Sequence, residues 1–303
     1  MPKLYLAKVN LNSTIFAAYQ EKGKIKELMG VVYNSFNNGI QANLVKYHTQ
    51  TDALGNKKKY EQSFEYSLAE ITKNNNVSIS GRIVRSFFRP NEKLNKMTSK
   101  YETEYVKQTT SILFYFDVYN QLITFCERNN FGYKQFLEGM NLLINKSVSN
   151  VLGDVVEFET FLVKDDDELK NKIKQIKNVN QIDLIIIPPN DSDEESLEKL
   201  RELSNGITPS EEINSKKTTI KYQSDEINMK SKKVLDMQKI VVCGYGNMVL
   251  TGKDESGNAI MIDSNKEAAF SMMILSKLPV EEFVKLSKNL MNRFIARKME
   301  KEK

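Results

Sequence analysis

The stretch SILFYFDVYNQLITFCER, residues 111–128, contains two apolar runs on either side of a short polar segment. Each run is apolar at both odd and even positions, which is typical of strands that are covered on both faces. Tyr119 and Asn120 are the predicted turn between the two strands. The stretch therefore predicts a hairpin at the centre of a β-sheet.

Helices and further strands are predicted around this hairpin. Apolar residues recur at helical spacing in EKGKIKELMGVVYNSFNNG, residues 21–39, and in YKQFLEGMNLLINKSV, residues 133–148. Polar and apolar residues alternate over 59–68, and the turn residues KNNN, 73–76, separate that strand from the next. We expect the first half to be α+β, an antiparallel sheet with helices on one face.

The second half predicts a smaller, α/β-like arrangement. VEFETFLVK (156–164), a helix that is acidic first and basic late (165–178), and QIDLIIIPPN (181–190) form the pattern of a βαβ unit. A hairpin around KDESG (253–257) and C-terminal helices follow.

Length and charge divide the chain in the same place. Its 303 residues favour two domains, and we place the boundary at residues 147–153. Residues 1–150, the basic α+β domain, carry 20 Lys and Arg against 12 Asp and Glu, a net charge of +8. Residues 151–303, the α/β-like domain with C-terminal helices, carry 24 against 27, a net charge of −3. This asymmetry indicates an acidic partner for the first half.

The sequence indicates a cytoplasmic protein without a membrane partner. The opening residues MPKLYLAKVN contain no apolar run of secretory length, and no segment approaches about 18 apolar residues. Cys126 and Cys243 lie in apolar, strand-like runs and are predicted to be buried thiols rather than a disulfide or a zinc site.

Several catalytic classes are disfavoured. The single histidine, His48, lies beside no motif for a Ser-His-Asp or Cys-His site. GNMVLTGKD, residues 246–254, has too many residues between its glycines for a phosphate-binding loop, and Asp254 stands where such a loop has Ser or Thr. We expect these glycines to allow bends in a hairpin.

One acidic segment could support metal-dependent hydrolysis. Asp154, Glu157 and Glu159 could hold Mg²⁺, and Lys164 could stabilise charge on a phosphate. However, Glu159 and Lys164 differ in parity, so a strand would aim them at opposite faces. A metal-dependent nuclease is therefore an alternative to a non-catalytic protein without a cofactor.

The stretch SGRIVRSFFRPNEKLNK, residues 80–96, is the candidate nucleic-acid contact. Unbroken alternation through the adjacent apolar pair 83–84 would bury Arg85 and Arg89, whereas a bulge there would expose both beside Phe87. Basic side chains contact phosphates, and an exposed aromatic ring can stack on a base. The predicted contacts are Arg82, Arg85, Phe87, Arg89, Lys93 and Lys96. The alternative is a solvated strand whose Phe87 is covered.

A third hypothesis concerns the C-terminal segment, residues 279–303. Its apolar side chains form one broad helical stripe that could pack on its own domain or assemble the chain with a partner, including a second copy. The stripe consists of Val280, Phe283, Val284, Leu286, Leu290, Met291, Phe294 and Ile295.

The pattern of GRIVR (81–85), FYFDVYNQLITFCER (114–128) followed by an amphipathic helix, IIIPPN (185–190), and the late GYG and GKDESG segments (244–257) resembles uncharacterised bacterial and phage proteins associated with phage defence. The resemblance covers most of the chain and implies a role in bacterium–phage conflict, in defence or counter-defence. We expect a non-catalytic protein that binds nucleic acid or a complex that processes it.

Overall fold

The protein is α+β and is built on two antiparallel sheets. The computed structural model describes every residue except 1, 13–14, 22, 52–54, 56, 76, 96–99, 129, 155, 191–193, 204–216, 276–277 and 302–303. The described strands are β1 Lys3–Leu11, β2 Gln41–Thr51, β3 Lys57–Asn74, β4 Ser78–Asn95, β5 Lys100–Asp117, β6 Leu122–Cys126, β7 Phe158–Leu162, β8 Asn178–Ile186, β9 Thr218–Gln223, β10 Gly246–Lys253, β11 Ala259–Asp263 and β12 Ser271–Met273.

The helices lie between and after these strands. They are α1 Ile15–Gln20, α2 Lys24–Ser35, α3 Tyr133–Leu152, α4 Asp166–Ile173, α5 Glu194–Leu203, α6 Lys232–Val242, α7 Ser264–Glu267 and α8 Val280–Lys301. In the part of the chain that the structure describes, no helix is long and apolar enough to cross a membrane.

The first sheet has eight strands in the order β12-β1-β6-β5-β4-β3-β2, and β7 pairs with β1 on the same side as β12. The predicted central hairpin, β5–β6, is confirmed. Phe114 and Phe116 point into a core that α2 and α3 cover, while Tyr115 points to the other face. There it joins a second core with Phe283 and Leu290 of α8. The helices of the first half lie on one face of this sheet, as predicted, and α8 of the second half covers the other face.

The predicted βαβ unit is wrong, because its two strands lie in different sheets. β7 pairs antiparallel with β1 in the first sheet, whereas β8 lies in the second sheet, whose order is β11-β10-β8-β9. Phe158 and Leu162 of β7 are buried in the first sheet's core, while Phe161 between them is buried in the core of the second sheet. Because successive side chains of a strand point to opposite faces, β7 contributes to both cores. α4 connects β7 of the first sheet to β8 of the second.

The two predicted domains are interleaved in space. β7, β12 and α8 all follow the boundary placed at residues 147–153, yet all three complete the first sheet or its cores. Asn190, at the end of the segment after β8, is fully buried and accepts a hydrogen bond from the amide of Leu11 at 3.0 Å. The boundary therefore does not coincide with the separation of the two sheets.

Cys243 does not lie in a strand. The residues before it form α6, in which Val234, Met237, Ile240 and Val241 are buried at helical spacing. The predicted hairpin that follows is confirmed as β10–β11, whose Leu250–Ile262 pair is buried.

Candidate nucleic-acid interface

The far end of the first sheet divides into two ribbons. β3 pairs with β4 as far as Phe64–Phe87. Beyond that pair, β2 and β3 continue together over residues 45–51 and 57–63, which we term the β2–β3 ribbon. β4 and β5 continue over residues 88–95 and 100–107, which we term the β4–β5 ribbon.

One face of the two ribbons is rich in exposed aromatic and aliphatic side chains. Paired residues of antiparallel strands point to the same face, and the pairs Leu94–Tyr101 and Pro90–Tyr105 place these four side chains together. Tyr101 and Tyr105 are 74% and 68% exposed. The registers of β2 with β3 and of β3 with β4 place further residues on the same face. We term this surface the aromatic face, and the charged residues Glu92 and Lys107 also lie on it. Its large exposed apolar and aromatic members are Val45, Tyr47, Phe88, Leu94, Tyr101 and Tyr105.

The opposite face of the β4–β5 ribbon is charged. It presents Arg89, Lys93 and Lys100, together with two acidic residues, Glu102 and Glu104. Lys93 forms an ion pair with Glu104. Across residues 45–63 and 88–107 the sequence has nine Lys and Arg against five Asp and Glu, a net charge of +4 in a chain whose net charge is +5. The ribbons therefore carry most of the net positive charge of the chain.

The predicted bulge at residues 83–84 is wrong. β4 pairs with β5 in unbroken register along its whole length, so alternation carries Arg85 to the core face, where it is 7% exposed. Its guanidinium lies 4.4 and 4.7 Å from the ring centroids of Phe64 and Phe87 and donates to the carbonyl of Asn130 at 3.0 Å. These contacts offset the cost of burying the charge. Arg85 is therefore not available to a phosphate.

The irregularity lies in the neighbouring strand instead. The register of β3 against β4 shifts between Ala69 and Thr72, and Glu70 within the shift has a left-handed φ of 55°. The Glu70 carboxylate accepts a hydrogen bond from Nε of Arg82 at 2.6 Å. Arg82, a predicted contact, is thus half-buried and ion-paired at the near end of the sheet.

The remaining predicted contacts lie in different surroundings. Phe87 is half-buried and packs against Phe64 of the core. Arg89 and Lys93 are exposed, but on the face opposite the aromatic face. Lys96 lies outside the described residues.

The acidic residues proposed for metal binding are not gathered into one group. Asp154 and Glu157 are exposed, while Glu159 accepts hydrogen bonds from Asn12 at 3.1 Å and Lys217 at 3.0 Å. Among the described residues, no three His, Cys, Asp or Glu side chains are close enough to hold a metal ion.

Lys164, the fourth residue of that hypothesis, is buried between the two sheets. Its Nζ donates to the carbonyls of Leu162 and Gly246, both at 2.6 Å. Burial lowers the pKa of Lys164 to about 7, and the charge of Asp263 opposes this shift. Because its ammonium group faces inward, Lys164 is not placed to contact a phosphate at the surface.

The aromatic face was not predicted from the sequence. In KYETEYVK, residues 100–107, Tyr101 and Tyr105 share parity with Lys107, while Glu102 and Glu104 occupy the other parity. This alternation is a signal for a strand with one aromatic side. That Phe88 and Leu94 lie on the same side follows only from the register of β4 with β5.

The candidate interface lies within the part of the chain that matches a family model. A family model described as Domain of unknown function (DUF4747) matches residues 32–270, a range that contains both ribbons and most of both sheets. No curated protein matches the chain.

Proposed function

The chain belongs to the DUF4747 family, and from its geometry we propose that it is a non-catalytic protein that binds single-stranded nucleic acid on the aromatic face. The observation that carries the proposal is the exposure of Tyr47, Phe88, Tyr101 and Tyr105 on one face of a basic pair of ribbons. A role in bacterium–phage conflict, as the resemblance implies, is a setting in which such binding would act.

Single strands suit this surface for two physical reasons. Unstacked bases present flat apolar faces that stack on exposed aromatic rings with little sequence preference. The ribbons also provide cations at their margins, because Arg89 and Lys100 lie on the reverse face and Lys107, which forms an ion pair with Glu65, lies on the aromatic face. A strand that crosses the ribbon can therefore stack its bases while its phosphates approach lysine and arginine.

Binding is tested with a fluorescein-labelled oligothymidylate and a matching oligouridylate, measured by anisotropy over a range of salt concentrations. We expect Tyr101→Ala and Tyr105→Ala each to weaken binding by about 1 to 3 kcal/mol, with little change in the dependence on salt. Arg89→Gln and Lys100→Gln should instead lower the slope of log affinity against log salt by about 0.7 for each phosphate that the variant no longer neutralises.

Tyr119→Ala is the matched control, since Tyr119 is 62% exposed but lies in the β5–β6 turn, outside both ribbons. It should leave affinity unchanged. The oligonucleotide should be recovered intact after incubation with Mg²⁺. Absence of binding at low salt, or an equal loss of affinity in the Tyr119 variant, would refute the proposal, and binding of a protein instead would assign the aromatic face to protein docking.

A further inference from the structure

β2 is a terminal strand of the eight-stranded sheet, and within the described residues only β3 pairs with it. The N–H and C=O groups on its outer side therefore lack a strand partner there. Such an edge is a template for pairing with another chain, and sheets usually protect it. At the other edge of the sheet, β12 has only three residues and therefore offers few groups for pairing.

β2 has few of the devices that usually protect an edge strand, and its one charged residue is Lys46. Its 11 residues, QANLVKYHTQT, contain no proline, glycine or acidic residue, and its register with β3 is unbroken from Gln41 to Thr51. The one lysine, Lys46, points inward to Glu138 of α3, with 2.7 Å between Nζ and Oε1. The exposed side chains of the strand, including Val45 and Tyr47, are uncharged.

We propose that β2 pairs antiparallel with β2 of a second copy of this chain, with a two-fold axis at Val45. The opposed pairs are then Val45 with Val45, Leu44 with Lys46, and Asn43 with Tyr47. Every pair joins uncharged residues or one lysine with an aliphatic residue, so no like charges face each other. Val45, which is 42% exposed, is covered by its own copy.

Charge favours this axis over others. The lysine-rich start of β3, residues 57–59, pairs with residues 49–51 of β2. With the axis at Val45, these lysines lie at opposite ends of the joined strands, about 30 Å apart from strand geometry. This distance is well beyond the screening length of about 10 Å. An axis near Thr49 would instead bring the two lysine clusters together.

The pairing has a consequence for the proposed function but does not depend on it. A two-fold axis perpendicular to the sheet keeps the same face of both copies on the same side. The two aromatic faces would then be contiguous, with Tyr47 of each copy diagonal to the central Val45 pair. Self-association is measured without nucleic acid, so failure of either proposal is distinguishable from failure of the other.

Size-exclusion chromatography with light scattering on the full chain should give twice the chain mass of 34.9 kDa. Val45→Lys should give a monomer, since it places two ammonium groups opposite each other on the axis. Mixing Val45→Lys with Val45→Glu should restore the dimer, which a misfolded variant could not do. Met273→Lys on β12, exposed at the far edge, is the control and should remain a dimer.

Cysteine substitution tests the register. Val45→Cys should form a disulfide between copies on mild oxidation, because residues on the axis are directly opposed. Tyr47→Cys alone should not, whereas Tyr47→Cys mixed with Asn43→Cys should. A monomeric unmodified chain, or cross-linking by Tyr47→Cys but not Val45→Cys, would overturn the proposed pairing.

Discussion

At the scale of single residues, Lys164 has an unusual position for a lysine. It is 1% exposed, and its hydrogen bonds reach one carbonyl in β7 and one in β10. The side chain therefore joins the first sheet to the second. A buried ammonium group loses its hydration, which favours the neutral amine and explains the direction of its pKa shift.

This burial predicts a dependence of stability on pH. Lys164 has a pKa of about 7 in the folded chain and about 10.4 when unfolded. Between these values the unfolded chain binds more protons, so the free energy of unfolding falls as pH drops towards 7 and levels off below it. From about pH 6.5 to 8.5, the unmodified chain should gain about 2 kcal/mol relative to Lys164→Met.

Urea denaturation at several pH values measures this difference. Lys253→Met, which removes an exposed lysine of β10, is the control and should follow the pH profile of the unmodified chain. Parallel profiles for the unmodified chain and Lys164→Met would show that Lys164 keeps an ordinary pKa.

At the scale of elements, the approach of α3 to the first sheet depends on a glycine. An ideal Cβ at Gly139 would lie 2.4 Å from Cδ1 of Tyr66, a fully buried residue of β3. The Tyr66 hydroxyl donates to Glu138 of α3 at 3.2 Å, which holds the ring against the helix. Burial and the nearby carboxylate raise the pKa of Tyr66. α3 and β3 can therefore approach each other closely at Gly139, because glycine has no side chain.

Two glycine substitutions should therefore have opposite effects. Gly139→Ala should destabilise the fold by about 1 to 3 kcal/mol, because overpacking outweighs a gain in helix propensity of up to about 1 kcal/mol. Gly30→Ala in α2, where an added Cβ meets nothing within 4 Å, should stabilise it by up to about 1 kcal/mol. Thermal unfolding followed by circular dichroism compares the two. Stabilisation by both substitutions would mean that α3 lies farther from Tyr66.

At the scale of the whole molecule, both halves of the chain build the first sheet. β1 receives β6 on one side and β7 and β12 on the other, so residues before 150 provide one neighbour and residues after 150 provide two. One core also combines Leu4 and Tyr115 with Phe270 and Phe283. Neither half can complete this sheet alone.

A fragment of residues 1–150 should therefore be insoluble or unfolded when expressed alone. It would expose the edge of β1 and the apolar face that α8 covers. Co-expression with residues 151–303 should give a soluble complex that co-purifies and has the circular dichroism of the intact chain. A soluble first fragment that unfolds cooperatively would support two separable domains, as the charge asymmetry predicts.

Local patterns in the sequence determined most of the elements. Alternation in β3 correctly predicted that Phe64, Tyr66 and Leu68 are buried, and helical spacing correctly predicted α2 and α3. These predictions succeed because period and burial are linked within a few residues of chain. Arg89 was expected to be exposed only with a bulge at residues 83–84, yet it is exposed in an unbroken register because β4 there continues into the β4–β5 ribbon.

Long-range pairing decided the rest. A bulge at residues 83–84 was a reasonable expectation for Arg85, but the rings and carbonyl that compensate its burial come from distant positions in the chain. In the same way, β7 pairs with β1, and its alternating side chains are buried in two different cores. The sequence by itself determined which residues alternate along each strand. Tertiary structure decided which strands pair, because the hydrogen bonds between strands join residues far apart in the chain and leave no periodic pattern within either strand.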